Sequence, residues 1–353
     1  MIEFPAFRPH PLLRSGHAQT IVGSLAPGRR LEYGAQRHFV PLDDGDAIVL
    51  HDDAPPAWRP ADRVALLVHG LCGSHLSPYV ARTASKLNAQ GVRTFRMDLR
   101  SHGAGLDRAQ RIGHAGRSED LAAALRMVLA LAPQASVHLV GFSMGANIVL
   151  KLAGELGANP PANLAGVFAA APPVDLHFCC DHLRRGWNWI YDGAFTRNLN
   201  RHFRAWQTAN PQLELPRSPT KLKRIFDFDE HITAPHSGYR DAAHYYAEAS
   251  SGPLLTEIAV PTVILAAADD PIVPICCLEK VARSPQTQLI ITEHGGHLGY
   301  IGARSADADS RWLDWRIVDW VLAERVKPAR PVLAQLFEMP ALPILAPATC
   351  RSA

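Results

Sequence analysis

From about residue 63 the chain alternates short runs of continuous apolar, β-branched residues with longer stretches whose apolar positions recur at helical intervals. Residues 63–69, 92–99, 137–142, 164–170, 262–268 and 288–292 read as strands, near-continuously apolar as strands buried on both faces must be. Residues 78–90, 118–132, 144–157 and 308–325 read as amphipathic helices, with Ser118, Glu119 and Asp120 as a helix start. Such alternation predicts an α/β protein: a mostly parallel sheet with helices on both faces. Segments 37–41 and 47–51 flank Asp44-Gly45-Asp46 and predict an antiparallel hairpin at the sheet edge.

The rhythm breaks between 172 and 255, where Trp187, Trp189, Tyr191, Phe203, Trp206, Tyr239, Tyr245 and Tyr246 crowd into a stretch without buried-strand runs. This stretch reads as a helical cap inserted into one α/β domain built from 61–171 and 256–326, and its aromatics as the insertion's own core. Residues 1–60 form an N-terminal segment with the edge hairpin, and 327–353 a proline-rich tail. No internal repeat is visible.

The first chemical signal is Gly141-Phe142-Ser143-Met144-Gly145, which follows an apolar strand and opens a helix. The two glycines permit a sharp strand-to-helix turn that lifts Ser143 Oγ to the sheet's upper edge. The amide of Met144 then faces the oxyanion of a tetrahedral intermediate. A serine nucleophile needs a base, and the base an orienting carboxylate. Asp269-Asp270-Pro271 follows the strand at 262–268, and His294-Gly295-Gly296-His297 the strand at 288–292, so both arrive at strand C-termini, where α/β sites assemble.

Asp270, placed immediately before the proline, is preferred to Asp269. His297, behind two glycines, is preferred to His294. The alternatives stay open at this level. A metal held by these histidines and aspartates would leave Ser143 unused, so neither metal nor organic cofactor is expected. The second oxyanion donor is expected from the loop His69-Gly70-Leu71-Cys72-Gly73-Ser74, at the amide of Leu71. His69 is expected to shape that loop, Cys72 to be a packed thiol, and Ser74 and Ser77 to cap the next helix.

These motifs together resemble the α/β-hydrolase superfamily, and the finer ones its YheT-like branch, related to the abhydrolase-domain esterases and lipases. The resemblance spans nearly the whole chain. Arg14-Ser15-Gly16-His17-Ala18-Gln19-Thr20 is similar to that branch's N-terminal G-H-x-Q-T segment, HGLCGSHLSPYV at 69–80 to its oxyanion loop, and GFSMGANIVLKLAGE at 141–155 to its elbow and following helix. Residues 228–250 add Thr233-Ala234-Pro235, Gly238-Tyr239 and Tyr245-Tyr246. Arg100-Ser101-His102-Gly103 stands where the branch usually has Arg-Gly, and Met144-Gly145-Ala146 where Leu-Gly-Gly is commoner. The resemblance implies hydrolysis of carboxylic esters, with acylglycerols or phospholipids among the substrates it admits, and the expected activity is a short-chain carboxylesterase or an acylglycerol lipase. An amidase or peptidase with the same triad, or a non-catalytic binding scaffold of the same fold, is the alternative.

Composition narrows the partners. A net charge of +3 gives no field of the kind nucleic acid selects. A small-molecule or lipid ester is the expected partner, with peripheral membrane contact compatible with it and the oligomeric state open. The six cysteines have neither zinc-site spacing nor a secreted disulfide pattern and read as reduced thiols. No secretory leader or membrane-spanning run is legible, so the expected compartment is the cytoplasm. Of the 17 histidines, one is asked to do chemistry.

Overall fold

A computed structural model describes residues 2–25, 34–213 and 222–323. The tail expected at 327–353, and Cys350 in it, lie outside the described residues. Eight strands form one sheet: β1 (Gln36–Pro41), β2 (Ala47–Asp53), β3 (Val64–Val68), β4 (Arg93–Asp98), β5 (Val137–Phe142), β6 (Leu164–Ala170), β7 (Thr262–Ala267) and β8 (Thr287–Thr292). Their spatial order is β1-β2-β4-β3-β5-β6-β7-β8. The β1–β2 and β2–β4 pairs are antiparallel and the remaining neighbours parallel.

The two-residue period of a strand explains how each face is covered. Val64, Leu66 and Val68 of β3 point into one apolar cluster with Leu121, Leu125, Ile148 and Leu152. These last four come from α3 (Ser118–Leu131) and α4 (Met144–Leu156). Ala65 and Leu67 point the other way, into a cluster with Val80 and Leu87 of α2 (Pro78–Ala89) and with Ile317 and Val321 of the helix Trp312–Ala323.

One strand departs from expectation. Residues 288–292 are not buried on both faces: β8 is an edge strand, and after Thr287 its residues are half-buried or exposed, because no strand among the described residues pairs with its outer side. The helix start expected at Ser118, with Glu119 and Asp120 in the first turn, is where α3 begins, although Ser118 supplies no side-chain cap. It is the first helical residue after Arg117, and its side chain is buried. Asp120 is fully buried because it carries a salt bridge. Both its oxygens accept from Arg100, at 2.9 and 2.6 Å.

Arg100 also donates to Asp44 and Asp46, so it ties the turn between β1 and β2 to α3. Burial opposes its charge, but Asp120 and Asp44 overrule that penalty and raise its pKa. Removing one partner of such a network leaves a buried charge uncompensated. Arg100→Ala is expected to destabilise the fold by about 3–5 kcal/mol, read as a lower urea midpoint with an unchanged slope.

Several histidines are spent on structure in the same way. Asp98 accepts from His51 Nε2 at 2.8 Å, from His75 Nδ1, and from the amides of His75 and Ala104 at 2.7 and 2.8 Å. The ligand atoms of His51, His75 and Asp98 lie within 4.8 Å of one another, a spacing a metal ion could use. The hydrogen bonds already satisfy the carboxylate. Cys72, Cys179, Cys180, Cys276 and Cys277 are free thiols. No helix among the described residues is long and apolar enough to cross a membrane.

Between β6 and β7 the chain leaves the sheet and builds α5 (Leu176–Leu183), α6 (Trp189–Ala209), the helical segment running from Ile225 to His236, and the helix Ala242–Ala249. Leu199, Phe203, Trp206, Phe228 and Ile232 cluster with Ile112 from outside the insertion, whereas Tyr245 and Tyr246 join the core of the sheet, so the aromatics are not a core of the insertion alone. Trp187 and Trp189 join neither and are 75% and 59% exposed.

Candidate active site

The strand order places the site. Chain connections leave β3 toward β4 and β5 toward β6, in opposite directions, so a crevice opens at the C-terminal ends of the adjacent pair β3 and β5. The loop after β3 carries Gly70 and Leu71. The turn after β5 carries Ser143.

Ser143 is the single residue between β5 and α4, with φ 53° and ψ −120°. That conformation is unfavourable for a residue with a Cβ, and it is held from both sides. The Ser143 amide donates to Ala170 O at 2.8 Å, and its carbonyl accepts from Ala146 and Asn147 at 2.8 and 3.1 Å. Gly145 lets the helix start this close to β3: a Cβ there would lie 2.4 Å from the carbonyl oxygens of Val68 and His69.

Ser143 Oγ lies 2.8 Å from His297 Nε2, and His297 Nδ1 lies 2.8 Å from Asp270 Oδ2. Donation from Nδ1–H to the carboxylate makes Nε2 the acceptor of the serine hydroxyl proton. The other oxygen of Asp270 accepts from the amides of Ile272 and Val273 at 2.8 and 3.0 Å, so its carboxylate is oriented before the histidine meets it. The side chains of Asp270 and His297 are 1% and 8% exposed.

The neighbouring acid and histidine are placed differently. Asp269 Oδ1 accepts from the Gly296 amide at 2.8 Å, while Oδ2 is 3.4 Å from His294 Nδ1. Asp269 therefore braces the histidine loop, and His294 stands away from Ser143 at its partly exposed rim.

Leu71 and Met144 border the space beside the serine. Met144 is the first residue of α4, so its amide has no intrahelical acceptor. The loop before Leu71 is set against the serine: a Cβ on Gly70 would fall 3.1 Å from Ser143 Cβ, and the Gly70 amide donates to Tyr79 Oη at 2.9 Å. Tyr79 was not among the sequence candidates; its only signal there is its place in the loop motif at 69–80.

His69 has both ring nitrogens occupied, Nδ1 at 2.7 Å from Gly70 O and Nε2 accepting from the Leu99 amide at 3.2 Å. Burial pushes it down to about 3, with nearby His102 adding to the effect, so it stays neutral. Burial pushes the Cys72 thiol up to about 12 and keeps it protonated. Neither group is poised for chemistry. Ser77 makes no side-chain cap to α2; its hydroxyl accepts instead from the Ser74 amide at 3.0 Å.

A cavity of about 40 Å³ adjoins Leu71 and Met144 and is walled by Leu199, His202, Phe203 and Trp206 of α6, and by Phe228 and Tyr245. No single-residue signal in the sequence marks these as a group, since they come from separate helices of the insertion. A larger hollow of about 300 Å³ lies between Pro5, Arg8, Arg304 and Trp312, and neither cavity has Ser143, His297 or Asp270 in its wall.

A family model for the alpha/beta hydrolase fold matches residues 64–303. The chain is 32% identical over 309 residues to a protein of Escherichia coli (strain K12) named "Putative esterase YheT", covering 86% of this chain and 89% of that one. It is 27% identical to "Phospholipase ABHD3" of Mus musculus, over 67% of this chain and 58% of that protein. Among solved structures, Est1E from Butyrivibrio proteoclasticus, with ferulic acid bound, superposes with a TM-score of 0.54 over 81% of this chain and 98% of its own, at 13% identity. That last likeness is one of fold. Sheet order, elbow and family match agree: the chain belongs to the α/β-hydrolase family, in its YheT-like branch.

Proposed function

We propose that the chain is a serine hydrolase of carboxylic esters that acts through an acyl-enzyme. The observation that carries this reading is the hydrogen-bonded series Ser143 Oγ, His297 Nε2, His297 Nδ1, Asp270 Oδ2, with 2.8 Å at each link outside the ring. His297 takes the hydroxyl proton as Ser143 attacks the acyl carbonyl. The amides of Leu71 and Met144 stabilise the oxyanion, helped by the positive end of α4. The imidazolium, stabilised by Asp270, gives its proton to the leaving alcohol. Water then enters, loses a proton to His297, and releases the acid while Ser143 regains its hydrogen.

The insertion 172–255 acts as the cap in this reading, and its α6 closes the acyl end of the site. A cavity of about 40 Å³ is far below the roughly 300–1,000 Å³ of pockets that enclose large ligands. In this reading the acyl group enters it past Leu71 and Met144, since neither Ser143 nor His297 lines the cavity itself, and only a short one fits. With p-nitrophenyl esters of graded chain length, kcat/KM is expected to peak between acetyl and butyryl and to fall by about tenfold or more at octanoyl. A maximum at decanoyl or longer would reject the short-acyl assignment and favour the acylglycerol type. Faster turnover of the matched anilides would place the protein among amidases instead.

A further inference from the structure

The loop that carries His297 is strained. Gly295 and Gly296 have φ of 149° and 56°, and two residues with side chains, Leu298 and Tyr300, also adopt positive φ, 60° and 41°. Such a backbone persists only where its surroundings over-determine it. Much of that restraint comes from the far end of the chain, from α1 (Gly16–Leu25), which belongs to neither helical layer of the sheet.

The hydroxyl of Thr20 donates to Gly16 O at 2.7 Å and accepts from the His297 amide at 2.8 Å. Its only proton is committed to the helix, so its lone pairs face the histidine backbone. Gln19 holds the other end of the loop. Its Oε1 accepts from the Ile301 amide at 2.7 Å, and its Nε2 donates to Ile301 O at 3.0 Å and to Leu13 O at 2.7 Å. Gln19 is fully buried and Thr20 nearly so. The fit between helix and loop is tight: a Cβ on Gly296 would lie 2.3 Å from Gly16 O and 2.7 Å from Thr20 Oγ1, and one on Gly16 would lie 1.8 Å from Asp269 O.

We propose that Thr20 and Gln19 are positioning residues for His297, through which α1 splints the strained histidine loop at both ends and holds the imidazole between Ser143 and Asp270. This rests on the reading of His297 as general base. It gives the Gln-Thr pair of the N-terminal motif a role in proton transfer, without contact with substrate.

Thr20→Val keeps the shape of the side chain and removes both hydrogen bonds, whereas Thr20→Ser keeps both. With p-nitrophenyl acetate, Thr20→Val is expected to lower kcat by about 10- to 100-fold with KM within about twofold, since a small misplacement of a catalytic group acts on the chemical step. Thr20→Ser is expected to stay within about threefold of wild type. The low-field proton resonance of His297 Nδ1–H is expected to broaden in Thr20→Val and to persist in Thr20→Ser.

Wild-type kcat in Thr20→Val, equal losses in the valine and serine variants, or a loss confined to KM would each overturn the proposal. If Thr20→Val does not fold, Thr20→Ala takes its place with the same outcomes. Labelling of wild-type Ser143 by a fluorophosphonate tests the parent reading separately. Should labelling fail, the low-field resonance still reports whether Thr20 orders His297 against Asp270.

Discussion

Ser143→Ala is expected to lower kcat for p-nitrophenyl acetate by about four to six orders of magnitude and to abolish labelling by a fluorophosphonate probe. The size follows from the proposed mechanism: without Oγ there would be no acyl-enzyme, and His297 and the amides assigned to the oxyanion would act only on a water they were not built to hold. Stability should barely change. Alanine at φ 53° carries the same backbone strain as serine, and the amide and carbonyl contacts of residue 143 to Ala170, Ala146 and Asn147 are made by the backbone. A variant labelled as strongly as wild type would show that the probe reacts elsewhere and would remove Ser143 from the mechanism.

The second large effect separates two adjacent acids. In Asp270→Asn, the amides of Ile272 and Val273 continue to require an acceptor, so the asparagine oxygen stays with them and its NH₂ turns toward His297. The ring must then accept at Nδ1 and carry its proton on Nε2, pointing at Ser143, where it cannot act as base. A fall in kcat of about 10⁴ is expected. Asp269→Asn keeps an oxygen for the Gly296 amide and disturbs only a long contact to His294, so a loss of no more than about tenfold is expected. Parallel kcat measurements on the two variants decide the matter, and the reverse order would mean that Asp269 is the carboxylate that orients the base.

Much of the architecture was legible because its causes are local. The apolar runs at 137–142 and 164–170 coincide with β5 and β6, and the helices expected at 78–90, 118–132 and 144–157 end within one residue of those observed. The exception at 288–292 is instructive. A run such as Gln-Leu-Ile-Ile-Thr has the same local character at an edge as in the centre, and only the strand order makes β8 the edge. Asp120 keeps its expected place in the first turn of α3, and its burial has a similar tertiary cause. An acid in a first helical turn normally faces solvent and the helix dipole, but here Arg100 draws it inward from 20 residues away.

The sequence by itself determined the class of the fold, the position of the Ser143 elbow, and the short segments in which a base and a carboxylate had to be sought. Each depends on neighbours in the chain: hydrophobic period for the elements, glycines around a serine for the turn, and polar residues just past a strand for the site. Tertiary structure decided which acid and which histidine of each pair meet, how small the space beside Leu71 and Met144 becomes under α6, and that Thr20 reaches His297 across 277 positions of sequence. Those outcomes depend on distances between segments that approach only once the sheet has ordered them, and no periodicity or spacing along the chain encodes a distance of that kind.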